Sequence, residues 1–134
     1  MLENECEGGE SIIVDGWQVA KDLRDEMPEH FSILQNFNVP FREFDEENET
    51  YAEAPLIKCA TDGTIESFRF SNQLMQMIDP RKEGVREFYK AYHEISLRVH
   101  DKKYRSTFRL KGGEALVVAS LRVLHAREPF IPCL

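Results

Sequence analysis

One apolar stripe constrains this chain more than any other feature. Between residues 81 and 100, Val85, Phe88, Tyr89, Tyr92, Ile95, Ser96 and Val99 recur at i, i+3, i+4, i+7, i+10, i+11 and i+14, with charged residues opposite. That period predicts one long amphipathic helix, whose stripe needs a second layer to cover it. Gly84, near its start, costs the helix about 1 kcal/mol against alanine. The rest of the chain offers mostly short strand signals, so the expected class is α+β, mainly β, with one long packed helix.

The strand signals come with their own punctuation. Ser11-Ile12-Ile13-Val14 is a β-branched run between Gly8-Gly9 and Asp15-Gly16, the pattern of a buried strand. Asp15 can cap a helix over 17–27, with Trp17, Ala20, Leu23 and Arg24 at helical spacing, and Pro28 then opens a further turn or two over 29–34. Residues 39–44 alternate like a strand, and Pro40 restricts that strand to an edge or a bulge. Asp62-Gly63 between the apolar runs 56–59 and 65–70 predicts a hairpin, with Ile65, Ser67 and Arg69 sharing one face. Residues 107–110, the Lys111-Gly112-Gly113 turn and 115–119 read as a last strand-turn-strand.

Composition excludes several classes of function. The net charge of −7 opposes binding to nucleic acid, which needs a basic face. The longest apolar run, 115–119, is too short to cross a bilayer, and the start carries no secretory pattern. An intracellular protein is expected, cytoplasmic or alternatively mitochondrial, forming one domain over 1–134. Cys6, Cys59 and Cys133 are odd in number and lack Cys-x-x-Cys spacing, which predicts reduced thiols. The acidic run 45–49 reads as a solvated loop.

Few residues are placed for chemistry. His125 follows the apolar stretch 115–124, where an imidazole can project from a strand end into a cavity; it reads as a ligand or as a hydrogen-bonded structural histidine. His93 and His100 lie on or beside the polar side of the long helix and read as solvated. Ser11 reads as a polar strand position and Asn72 as a loop residue closing the hairpin. Trp17, Tyr89 and Tyr92 have the spacing of core residues.

Two segments carry a resemblance. Gly8-Gly9-Glu10-Ser11 opening a strand, followed much later by Val123-Leu124-His125-Ala126-Arg127, resembles the iron(II)- and 2-oxoglutarate-dependent dioxygenases of the taurine-dioxygenase superfamily. Within it the chain looks most like the γ-butyrobetaine dioxygenase and trimethyllysine dioxygenase branch, the hydroxylases of carnitine synthesis. The likeness runs from Leu2 to Phe130. It implies a double-stranded β-helix, a jelly-roll-like sandwich of which this chain holds the middle and later strands, with the long helix packed outside.

The resemblance also implies roles. His125 would be the distal member of a two-histidine, one-carboxylate iron site. Ser11 would bond the 2-oxoglutarate carboxylate, and Asn72, in Phe70-Ser71-Asn72, would contact substrate. Ascorbate is a further implied cofactor, and a homodimer a possible assembly. The activity implied is oxidative decarboxylation of 2-oxoglutarate coupled to hydroxylation of a small trimethylammonium substrate. γ-Butyrobetaine and trimethyllysine remain open as that substrate, as does a non-catalytic chain that only binds or packs. The other two metal ligands of the family come from a His-x-Asp pair upstream of Gly-Gly-Glu-Ser, and its carboxylate-binding arginine from the strand after His125. No His-x-Asp or His-x-Glu occurs in this sequence, and relatives carry Asp-Asn where Ala119-Ser120 stands. Strands outside this stretch would leave open edges, predicting association through 11–14 and 115–119.

Overall fold

The β-branched run at residues 11–14 passes straight into a helix because Asp15 serves both elements. Its backbone ends strand β2 (Ser11–Asp15), and its carboxylate accepts the Gln18 N–H at 3.2 Å to cap α1 (Gly16–Glu26). The computed structural model describes residues 7–131; Cys6 and Cys133 lie outside them. β1 (Glu7–Gly8) precedes this unit. α2 (Pro28–Asn36), β3 (Val39–Phe44), β4 (Glu49–Ala54), β5 (Ile57–Cys59), β6 (Ile65–Phe68), α3 (Val85–His100), β7 (Arg105–Phe108), β8 (Val123–Arg127) and β9 (Phe130–Ile131) follow it. A single 3₁₀ turn, Lys102–Tyr104, joins α3 to β7.

The described strands make four small antiparallel sheets: β1–β9, β7–β2–β8, β3–β4 and β5–β6. α3 covers them. Its buried residues are Phe88, Ala91, Ile95 and Val99, joined by Val19, Ala20 and Leu23 of α1 and by Phe31 and Leu34 of α2. Phe88 is fully buried, stacked on Phe37 (centroids 4.7 Å apart) and on Tyr92 (5.8 Å). The Lys103 ammonium and the Tyr104 hydroxyl both donate to Asp22 of α1, tying the end of α3 to the first helix. The Tyr104 bond, then that from Lys103, holds the Asp22 carboxyl down to about 2. Among the described residues no helix is long and apolar enough to cross a membrane.

Several expectations are corrected. The apolar stretch 115–119 is not a strand; it runs as irregular chain with Val117 92% exposed, and the strand comes later, at Val123–Arg127. Ser11–Asp15 is the central strand of its sheet, paired on both sides, so it cannot be an open edge for association. The long helix starts at Val85, leaving Gly84 outside it as the N-cap without the interior penalty. Tyr89 is 44% exposed, and Ala91 takes a core place that the stripe had not claimed. In the hairpin, Ile65, Ser67 and Phe68 are all buried, because β6 is covered on both faces. β4 carries almost no apolar signal and forms through its backbone ladder with β3.

Because Phe88 joins α3 to both the Phe37 end of α2 and the Phe70–Tyr92 side, Phe88→Ala should cost about 3–5 kcal/mol. Chemical denaturation monitored by circular dichroism measures this; a loss under 1 kcal/mol, roughly that of a surface site, would contradict the packing.

Candidate active-site sheet

Alternation along a strand divides the β7–β2–β8 sheet into two unlike faces. Ile12, Val14 and Leu124 point toward the helices and join the core. Ser11, Ile13 and Asp15 point the other way. The register places Ser11 opposite Arg127, Ile13 opposite His125 and Asp15 opposite Val123. Paired residues share a face, so the His125 imidazole stands on the same side as Ser11, one diagonal step away. On β7, Phe108 and Ser106 extend that face, opposite Ser11 and Ile13.

His125 therefore sits in mid-strand, not at a strand end as its sequence context suggested. β8 is an edge strand of its sheet, which brings His125 to the rim of two clefts. One, of about 370 Å³, lies between α3 and the β2–β8 pair and is bordered by Asn72, Val99, His100, Leu124 and His125. The other, of about 600 Å³, is bordered by Phe41, Phe70, Leu74, Val123 and His125.

The approach to β8 is clamped at its backbone. The Leu121 carbonyl accepts the Phe68 N–H at 3.1 Å and the Trp17 indole N–H at 3.1 Å, and the Arg122 carbonyl accepts the Gly16 N–H at 3.0 Å. A Cβ on Gly16 would lie 2.7 Å from that carbonyl oxygen, so only glycine allows the approach. The Arg122 guanidinium reaches back to Asp15 through both carboxylate oxygens, Nε–Oδ1 at 3.2 Å and Nη2–Oδ2 at 2.5 Å, and lies over the Trp17 ring. These contacts hold the turn that leads into β8. The hydrogen bond from Arg122 keeps the Asp15 carboxyl below its ordinary range, overriding partial burial, which acts the other way.

Asn72 borders the same cleft as His125, but its Oδ1 accepts the Tyr92 hydroxyl, and Tyr92 stacks on Phe70 at 5.5 Å on the helix side of the sheet. The structure thus unites Ser11 and His125 on one face and leaves Asn72 across the strand edge. His93 is exposed, and His100, also exposed, has Nδ1 2.8 Å from the Ser96 carbonyl of its own helix. Trp17 is bound into the β8 clamp, and Tyr92 belongs to the aromatic stack. Arg127 closes the motif around His125, and the register sets it beside Ser11, a pairing that shows only once the strands are paired.

Three donors must converge to hold iron(II) in facial geometry. Among the described residues no group of three His, Cys, Asp or Glu side chains could hold a metal ion, so these residues alone do not fit that site.

The chain belongs to an oxygenase family: the family described as taurine catabolism dioxygenase TauD, TfdA matches residues 1–132. Among curated relatives, γ-butyrobetaine dioxygenase of Pseudomonas sp. (strain AK-1) is 30% identical over 98% of this chain and 34% of its own length. Human γ-butyrobetaine dioxygenase is 28% identical, covering 92% of this chain and 33% of that protein. Trimethyllysine dioxygenase of Meyerozyma guilliermondii is 26% identical, covering 97% and 34%. The chain spans about a third of the length of these relatives. A crystal structure of a protein from Burkholderia xenovorans, assigned as an alpha-ketoglutarate-dependent taurine dioxygenase, superposes with a TM-score of 0.66 at 13% identity. It covers 96% of this chain and 44% of that one, and shows a shared fold.

The Asp15–Arg122 pair yields a pH test. A carboxyl held below its ordinary value of 3.8 stabilises the fold above that value, and the contribution disappears as pH falls through the lowered one. Asp15→Asn should therefore melt below the wild type at neutral pH, with the gap closing on acidification below pH 3.8. A gap that stays constant from pH 7 to roughly pH 2 would deny the pair its role.

Proposed function

We propose that this chain contributes the β2–β8 portion of an iron(II)- and 2-oxoglutarate-dependent hydroxylase acting on γ-butyrobetaine, built on a double-stranded β-helix. The observation that supports the reading is the shared face: Ser11 and His125 come from segments 114 residues apart, yet stand one diagonal step apart on antiparallel neighbours. In this reading His125 is an iron ligand and Ser11 a contact to the co-substrate. Asn72 is a substrate contact through the amide N–H groups that its bond from Tyr92 leaves available. Membership of the family and the Pseudomonas relative's name support the class and the substrate.

The described residues supply His125 without the two further ligands, so the chain alone should bind iron(II) no better than a lone histidine does and should form no succinate from 2-oxoglutarate. Joined to the flanking segments of the Pseudomonas γ-butyrobetaine dioxygenase, it should hydroxylate γ-butyrobetaine. His125→Ala should abolish that turnover, while His93→Ala and His100→Ala leave it nearly intact. Activity that survives His125→Ala in the hybrid, or succinate formation by the chain alone, would defeat the assignment.

A further inference from the structure

We propose that the outer edge of β4 binds a basic, extended segment of a partner polypeptide, which adds a third strand to the β3–β4 hairpin. The two edges of that hairpin differ. On the β3 side, Arg42 donates its backbone N–H to the Leu74 carbonyl at 2.9 Å, and the Pro40 carbonyl accepts the Gln76 N–H at 2.8 Å, so residues 74–76 close that edge. These two bonds also set the sense of the ladder. Pro40 and Arg42 point their backbone groups away from β4, so their partners across an antiparallel pair, Glu53 and Tyr51, point theirs away from β3. Glu49, opposite Phe44, continues the series. No backbone bond from outside the hairpin reaches Glu49, Tyr51 or Glu53 among the described residues, and all three are exposed. β4 thus offers a row of N–H and C=O groups that another strand can pair with.

Side chains decide which strand fits. Pairing puts Pro40, Arg42, Phe44, Glu49, Tyr51 and Glu53 on one face of the hairpin. Phe44 is 72% and Tyr51 59% exposed there, and Met77, 90% exposed, borders the cleft of about 620 Å³ that this face shares with residues 76–79. Charge on the hairpin has one sign: Glu43, Asp45, Glu46, Glu47, Glu49 and Glu53 stand against Arg42 alone within residues 42–53. Arg42 is bound to Glu49 at 2.8 Å. Glu53 accepts the Tyr51 hydroxyl at 2.9 Å and has no ion pair among the described residues. A second copy of this chain is the wrong occupant. Two β4 strands paired antiparallel about Tyr51 would set Glu49 directly opposite Glu53 twice, and like charges so placed repel. A segment reading Lys/Arg-x-apolar-x-Lys/Arg matches instead, with its cations opposite Glu49 and Glu53 and its apolar residue opposite Tyr51. Backbone pairing supplies the affinity, and the carboxylates select against acidic strands.

Titration of the ¹⁵N-labelled chain with a capped synthetic peptide, Thr-Lys-Thr-Val-Thr-Lys-Thr, followed by NMR, tests the pairing. The amides of Glu49, Tyr51 and Glu53 should shift saturably, and added salt should weaken the binding. The same peptide with glutamate for both lysines should bind roughly 10-fold more weakly or worse. A peptide N-methylated at the valine and both lysines keeps its charge but loses the donors that face β4, and it too should bind more weakly. Glu53→Lys should weaken the parent peptide roughly 3- to 30-fold, since it exchanges an attraction for a repulsion. Tyr51→Pro removes one outward donor while leaving the ladder to β3 whole, so it should bind more weakly than Tyr51→Ala, which shares the loss of the ring. Glu87→Lys, the same change of charge on the exposed side of α3, is the control and should bind as the wild type does. The proposal fails if the parent peptide leaves the β4 amides unmoved, if the glutamate or N-methylated peptide binds as tightly, or if Glu87→Lys weakens binding as much as Glu53→Lys. It fails equally if the three β4 amides shift with chain concentration alone, since a second copy would then occupy the edge. Neither iron nor 2-oxoglutarate enters the titration, so its result is separate from the test of His125 as an iron ligand.

Discussion

The antiparallel pairing of Ser11–Asp15 with Val123–Arg127 is the interaction on which the rest depends. Strand alternation makes it an all-or-none device. In one register Ser11, His125 and Arg127 share the open face; slipped by one residue, the histidine would enter the core and Leu124 would face out. Two agents hold the observed register. Burial of Ile12, Val14 and Leu124 favours it on the core side. At the strand end, the Asp15–Arg122 pair and the Gly16 N–H to Arg122 carbonyl bond fix where β8 begins. Asp15 thereby couples three things: the end of β2, the cap of α1 and the start of β8.

One face of that sheet joins the helical core. α3 supplies Phe88, Ala91, Ile95 and Val99 to a core shared with α1 and α2, and Ile12, Val14 and Leu124 of the sheet pack into it. A sheet covered once can present polar side chains on its other side. Ser11, His125, Arg127 and Ser106 are such side chains. A fold shared with a solved structure at 13% identity, beside a curated relative at 30%, fits a case in which the fold outlasts most of the sequence.

Much of the fold was legible where local chemistry and tertiary structure agree. The β-branched run ending at Asp15-Gly16, the Asp62-Gly63 hairpin, the proline-marked strand at Val39–Phe44 and the long helix α3 all formed as elements, with corrections in bounds and burial. The failures have physical reasons. Residues 115–119 are apolar, but they pair with none of the described strands and stay largely exposed, so neither a ladder nor burial holds them as a strand. β4 is exposed throughout most of its length, so burial left no periodic mark on its sequence. The motifs single out Ser11 and His125 as candidates; that the two share a face with Arg127 follows from a register that no local pattern encodes.

The register itself admits a direct measurement. Cross-strand nuclear Overhauser effects in the labelled chain should connect Ile13 with His125 and Ser11 with Arg127, and should place Ile12 beside Ala126. That set puts serine, histidine and arginine on one face. Contacts pairing Ile12 with His125 instead would show a one-residue slip, bury the imidazole, and contradict the account of the site.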